Sequence, residues 1–136
     1  MKIYFAGAIR GGREDGALYL EIVKLLRAHG EVLTEHVAGA ELTASGESND
    51  DHWIHNRDLT WLREADCLVA EVTTPSLGVG FEIAKATEWG ERVLCLFRPS
   101  AGKALSALVA GSDRVTVRES QDPADLQAIL DQFFAA

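Results

Sequence analysis

The sequence predicts an α/β fold in which one parallel sheet is covered by helices on both faces. Three observations carry that expectation. Five short apolar runs recur along the 136 residues. Segments with helical spacing alternate with them, the pattern of strand–helix–strand units. Several runs are continuously apolar rather than alternating, as strands buried on both faces are. A chain of this length fits one domain, residues 1–136, and no repeat, linker or low-complexity tract divides it.

The elements follow in order. Lys2 to Ala6 is a first strand ending at Gly7. Arg13 to His29 places Ala17, Leu18, Ile22, Leu25 and Leu26 on one helical face, with Gly30 as a stop. Glu31 to Thr34 is a second strand, and the small, polar stretch Ala38 to Asn49 reads as a loop or lid. A helix starts at Asp50-Asp51 and runs to about Ala65. Cys67 to Val72 is the third strand, Gly78 to Trp89 the third helix, and Arg92 to Phe97 the fourth strand, closed by Pro99. Lys103 to Ala110 is a short helix and Arg114 to Val117 a fifth strand. Asp122-Pro123 opens a final helix, with proline where a first turn tolerates it. A doubly wound, Rossmann-like sheet in the flavodoxin-like order 2-1-3-4-5 places its switch point between strands 1 and 3, where ligands bind beyond the carboxyl ends of the strands.

Composition narrows the function. The net charge of −8 and pI near 4.9 exclude a partner gripped through many phosphates, while leaving room for one small anion in a local pocket. Cys67 and Cys95 fall inside strand-like runs and read as free core thiols. With no disulfide framework, no signal peptide and no membrane-spanning stretch, a cytoplasmic protein is expected.

Two loops face the expected switch point: Gly7-Ala8-Ile9-Arg10-Gly11-Gly12-Arg13, and the run Thr73-Thr74-Pro75-Ser76-Leu77-Gly78-Val79-Gly80-Phe81-Glu82. The second is a turn leading into a helix, where unpaired N–H groups and the helix dipole favour an anion. Ser76 and the glycines suit a close-lying phosphate, and Arg10 and Arg13 are candidate ligands from the first loop. Glu82 then stands in what reads as the first helical turn, near a dipole that keeps it ionised. Asp58 interrupts the stripe Ile54, Trp61, Leu62, Ala65, in a more apolar setting where a carboxylate must be paired, protonated or facing a cavity. Either acid could be structural, Asp58 satisfied by an arginine or by N–H groups, and Glu82 as a helix-dipole acid. Together at one crevice, two such carboxylates suit cleavage of a glycosidic bond.

Other chemistries find no pattern. His36, His52 and His55 lack metal-ligand spacing. Trp53, Trp61 and Trp89 read as packing residues, one of which could flank a base. The glycines of the first loop do not form the dinucleotide fingerprint, Gly102-Lys103-Ala104 is not a P-loop, and no Gly-x-Ser-x-Gly elbow occurs.

The strings Ile3-Tyr4-Phe5-Ala6-Gly7-Ala8-Ile9-Arg10-Gly11-Gly12-Arg13, Val32-Leu33-Thr34-Glu35-His36-Val37, Asp58-Leu59-Thr60-Trp61-Leu62, Ala70-Glu71-Val72 through Gly80-Phe81-Glu82, and Leu94-Cys95-Leu96-Phe97-Arg98-Pro99 resemble the 2′-deoxynucleoside 5′-phosphate N-hydrolases of the nucleoside 2-deoxyribosyltransferase superfamily. The resemblance spans nearly the whole chain. It implies hydrolysis of a deoxynucleoside monophosphate to free base and 2-deoxyribose 5-phosphate, with no metal or other cofactor. Glu82 corresponds to the family's nucleophile, Asp58 to its base- and sugar-contacting acid, and Tyr4 to its strand-1 tyrosine. The substrate- and phosphate-binding residues it implies are Gly7, Ile9, Arg10, Gly11, Ser76 and Gly78. Ser106 would be contributed by the neighbouring subunit of a homodimer. Ala8 stands where the family usually has serine, removing one hydroxyl from the expected contacts. Readings left open are a deoxyribosyltransferase, a cytidylate-type ribonucleotide N-glycosidase, and a catalytically silent nucleotide-binding module.

Overall fold

The computed structural model describes residues 1–8, 15–34 and 49–135. The elements are β1 (Lys2–Ala6), α1 (Gly16–Leu26), β2 (Glu31–Val32), α2 (Asp51–Glu64), β3 (Cys67–Glu71), α3 (Leu77–Glu88), β4 (Arg92–Phe97), a 3-10 turn (Pro99–Ala101), α4 (Ala107–Ala110), β5 (Thr116–Glu119) and α5 (Ala124–Ala135). The five strands form one parallel sheet in the order β2-β1-β3-β4-β5. Sequential registers such as Tyr4 opposite Leu68 and Ala70 opposite Cys95 align β1, β3 and β4 so that their carboxyl ends finish together.

Alternation along the strands divides the core in two. Ile3, Phe5, Val69, Leu94 and Leu96 pack under α1 and α5, against Tyr19, Ile22, Leu26, Leu126 and Leu130. Tyr4, Ala6, Leu68, Ala70 and Cys95 face α2 and α3, against Leu62, Ala65, Val79, Ile83 and Ala86. Burial pushes the Cys67 and Cys95 thiols up to about 11 and about 12, so both stay protonated as free core residues.

Several boundaries differ from expectation for local reasons. The helix expected over residues 13–29 ends at Leu26, because Ala28 and His29 donate to Leu25 and Leu26 carbonyls in tighter turns (3.3 and 2.9 Å). β2 stops at Val32, yet Thr34 prolongs the pairing: its hydroxyl accepts from the Phe5 N–H (2.8 Å) and donates to the Phe5 carbonyl (2.6 Å). α3 begins at Leu77 rather than Gly78, because Ser76 is its N-cap and accepts from the Val79 N–H at 3.3 Å. The helix expected from Lys103 is the single turn Ala107–Ala110, with Pro99–Ala101 in a separate 3-10 turn. β5 lies two residues beyond the expected strand: Arg114 N–H bonds the Ser112 hydroxyl (3.2 Å), and pairing starts with Thr116 opposite Leu94.

Candidate active site

The site forms where α2 and α3 meet the middle of β1. Tyr4 is buried in a strand flanked by β2 and β3, so its phenol can only project between α2 and α3. Its hydroxyl donates a short hydrogen bond to Glu82 Oε2. Burial, then Glu82 and Asp58, push the Tyr4 phenol far above its ordinary range, which keeps it a proton donor.

Glu82 lies in the second turn of α3, not the first, so the helix terminus does not hold it ionised. Its carboxyl is pushed up to about 7, chiefly by burial, with a further rise from Asp58 and an opposing pull from the Tyr4 hydroxyl. Asp58 has the opposite setting. Its side chain is a quarter exposed, and Arg57 closes on Oδ1 through Nε (2.9 Å) and Nη2 (2.8 Å). The Arg57 guanidinium in turn lies 4.9 Å from the Trp53 ring and 4.8 Å from Trp61. The environments expected for the two acids are therefore exchanged: Glu82 is the desolvated acid and Asp58 the one held by charge. Ile54, Asp58 and Trp61 lie at the partly buried margin of α2, while Leu62 and Ala65 enter the core.

The anion loop follows β3. Ser76 caps α3, and the Leu77 and Gly78 amides have no acceptor among the described residues. Among the described residues nothing requires glycine at 78: its φ is not positive, and of their atoms an added Cβ would meet only Ser76 Oγ, at 3.8 Å. Gly7 has a packing reason instead, since a Cβ there would approach the Tyr19 ring to 2.9 Å. The buried Ala8 donates its N–H to the Tyr19 hydroxyl at 3.0 Å.

Ile9, Arg10, Gly11 and Arg13 lie outside the described residues, as do His36 and the lid segment apart from Asn49. Ser106 is exposed and is the N-cap of α4, not a residue inside a helical face as expected, and its side chain makes no capping bond. Asp15, Glu71, Arg98 and Lys103, none of them expected at the site, meet the Thr73-Thr74 turn at the carboxyl ends of β3 and β4. An acid ending an otherwise apolar strand, Cys67-Leu68-Val69-Ala70-Glu71, was the available signal. Among the described residues no helix is long and apolar enough to cross a membrane.

A buried tyrosine bonded to a partly buried carboxylate, a second acid beside it and a serine-capped helix N-terminus therefore meet at the carboxyl-end side of the sheet. The family model for nucleoside 2-deoxyribosyltransferase matches residues 3–126. The chain belongs to this family and is an enzyme of its class. It is 51% identical over 138 residues to the 5-hydroxymethyl-dUMP N-hydrolase of Mus musculus, covering 98% of this chain and 80% of that protein. Identity to the Homo sapiens 5-hydroxymethyl-dUMP N-hydrolase is 51%, covering 98% and 79%. With the protein of that name from Danio rerio it is 48%, covering 98% and 96%. The structure of a Clostridium botulinum CMP N-glycosidase superposes with a TM-score of 0.71 at 18% identity, covering 98% of this chain and 99% of that one, a likeness of fold alone.

Proposed function

We propose that this protein hydrolyses the N-glycosidic bond of 2′-deoxynucleoside 5′-monophosphates through a covalent glycosyl–Glu82 intermediate. The observation that carries the reading is the Tyr4–Glu82 pair with Asp58 beside it, on the helix whose N-terminus Ser76 caps. The Glu82 carboxylate attacks C1′ as the C1′–N bond breaks, its electron pair leaving with the base. Asp58 contacts base and sugar and assists departure. Water then attacks C1′, releasing 2-deoxyribose 5-phosphate and returning the carboxylate. Tyr4 fixes one oxygen of Glu82 and stabilises the ionised form. The absence of a 2′-hydroxyl helps, because that electron-withdrawing group would destabilise the developing cation.

Phosphate held at Ser76 and Gly78, with Gly7, Ile9, Arg10 and Gly11 from the first loop, would position C1′ against Glu82. The open space around Gly78 supports this. Names of the relatives make 5-hydroxymethyl-dUMP the first substrate to test. Free, buried Cys67 and Cys95 suit a reducing, cytoplasmic setting. A homodimer with Ser106 reaching the neighbouring site is supported by apolar side chains left exposed, Leu77 at 97% and Leu108 at 89%.

A chromatographic screen of ribo- and deoxyribonucleosides and their monophosphates for free base tests the reading. The deoxynucleoside monophosphate should exceed its nucleoside in kcat/KM by a few orders of magnitude, since each charge-assisted phosphate contact contributes about 1.5–3 kcal/mol. Equal rates, with sugar captured by an added free base, would favour a transferase. Preference for a ribonucleotide would favour the cytidylate-type reading, and binding without base release a silent module. Sedimentation should show a dimer whose Ser106→Ala variant keeps its mass and loses affinity for phosphorylated substrate; a fully active monomer overturns the shared site.

A further inference from the structure

Behind the anion loop lies a second charged cluster that the chemistry at Glu82 does not use. Glu71, the last residue of β3, is only 1% exposed, and its Oε1 accepts the Thr73 N–H at 2.7 Å. Its Oε2 and the Nε of Arg98 are both buried without a hydrogen-bond partner, and they lie 3.7 Å from each other. Arg98 follows β4 directly. Its N–H donates to the Thr73 hydroxyl at 3.0 Å, and its Nη2 reaches Asp15 Oδ1 at 2.6 Å.

Asp15 is the N-cap residue of α1, yet its side chain does not cap that helix. It takes Arg98 on one oxygen and the Thr74 hydroxyl on the other at 3.1 Å. Thr74 also accepts from Lys103 Nζ at 3.3 Å. Thr73 and Thr74 are thus both pinned by this cluster, three and two residues ahead of the Ser76 cap.

An acid placed to cap its own helix turns instead to an arginine that follows β4, tying the start of α1 to the carboxyl end of the sheet. Burial and, to a lesser extent, Asp15 push the Glu71 carboxyl upward, and Thr73 and Arg98 oppose that. The Arg98 guanidinium pairs closely with Asp15 and lies within ion-pair reach of Glu71, while the backbone N–H of the same residue holds Thr73.

We propose that Arg98 is a positioning residue for the 5′-phosphate. Through Thr73-Thr74 and Asp15 it fixes the turn that presents Ser76 and the Leu77 and Gly78 amides, and it touches neither the base nor C1′. The inference rests on the phosphate reading above.

Calorimetric titration in a Glu82→Gln background, which removes the nucleophile, separates the two. A deoxynucleoside monophosphate should bind that parent at least about tenfold more tightly than its nucleoside. Equal affinities there would defeat the phosphate reading itself, before Arg98 is altered, and the Arg98 role with it. Where the preference holds, Arg98→Lys keeps the charge but loses the fork. It should weaken the monophosphate about tenfold and the nucleoside by less than about twofold. An unchanged ratio, or equal weakening of both ligands, overturns the proposal. Thr74→Val, which removes only the ties to Asp15 and Lys103, should shift the same ratio in the same direction by a smaller factor. It decides the matter if Arg98→Lys does not fold, an unchanged ratio again counting against the proposal.

Discussion

On the face covered by α1 and α5, β1 presents Ile3 and Phe5, and β3 and β4 add Val69, Leu94 and Leu96 beneath Tyr19, Leu130 and Phe133. On the face covered by α2 and α3, the same strands present Tyr4 and Ala6 with Leu68, Ala70 and Cys95, beneath Ala65, Val79 and Ala86. The period of two along a strand lets one residue step separate a packing face from a chemical one. Small residues on the second face make room at the sheet for a phenol and a carboxylate. The first face fills its space with large side chains, so a change there should act on stability, while a change on the second should act on turnover.

The largest effect is expected from Glu82→Gln. It preserves shape and removes the proposed nucleophile, so kcat should fall by about three orders of magnitude or more while nucleotide binding persists. Methanol added to the unmodified enzyme should trap a product of retained anomeric configuration, because two displacements restore the original face. Inversion would make Glu82 a general base for direct attack by water. Stability gives an independent check with a definite sign. The folded carboxyl titrates at about 7, above the ordinary value of 4.5 expected in the unfolded chain. The folded state therefore holds the proton more tightly, and this contribution is lost as pH rises from about 4.5 to about 7. Glu82→Gln should gain stability relative to the unmodified protein across that window and then level off, as thermal melts at several pH values would show. Near-normal turnover in the variant would remove Glu82 from the chemistry altogether.

Leu130→Ala breaks the comparison from the other side. Leu130 is fully buried under the opposite face of the sheet, remote from Tyr4 and Glu82. The lost side chain and the cavity it leaves should reduce stability by about 2–5 kcal/mol, measured by denaturant unfolding. Below the melting transition, kcat should stay within about twofold, as expected for distant independent sites. A large kcat loss in a folded sample would show that the two faces are not separable.

The parts legible in the sequence are those that a local pattern fixes. β4 matches its expected span because Val93 to Phe97 is a continuous apolar run bounded by Arg92 and Pro99. Glu82 was singled out from the loop motif, Asp58 from helical period and Tyr4 from the family resemblance, and the structure brings the three together. Their environments were not legible. Glu82 falls in the second turn of α3, the sixth residue from Leu77, and its desolvation depends on β1, 78 residues away in sequence. Asp58 was expected in an apolar stripe, where pairing with an arginine was one of the readings; the partner is the neighbouring Arg57, braced by Trp53 and Trp61, and the pair lies at the rim and not within the stripe. The Asp15–Glu71–Arg98 cluster joins three distant segments, and no spacing rule links such residues. β5 slipped by two positions because an edge strand carries weak alternation and its register is set by β4.

Tyr4→Phe sharpens the comparison most finely, since it removes one oxygen and leaves the packing volume nearly intact. Tyr4 sits between Ile3 and Phe5 in sequence, yet its hydroxyl joins the strand to Glu82. A hydrogen bond to a charged group contributes about 1.5–3 kcal/mol, so kcat/KM should fall roughly tenfold to a hundredfold, less than for Glu82→Gln. The melting temperature should move far less than in Leu130→Ala. The pH profile makes the test specific. In the unmodified enzyme kcat/KM should rise with pH through about 7, as the Glu82 carboxyl loses its proton and becomes a nucleophile. The Tyr4 hydroxyl stabilises the carboxylate and so pulls that midpoint down. Without it, burial and the Asp58 charge act unopposed, and the midpoint must move to higher pH. Ionisation of the substrate phosphate, near pH ~6, is common to both proteins and cancels in the difference. A loss of rate with an unmoved midpoint would mean that Tyr4 acts on the substrate and not through Glu82. A midpoint shifted downward would contradict the hydrogen bond's role in holding the carboxylate ionised.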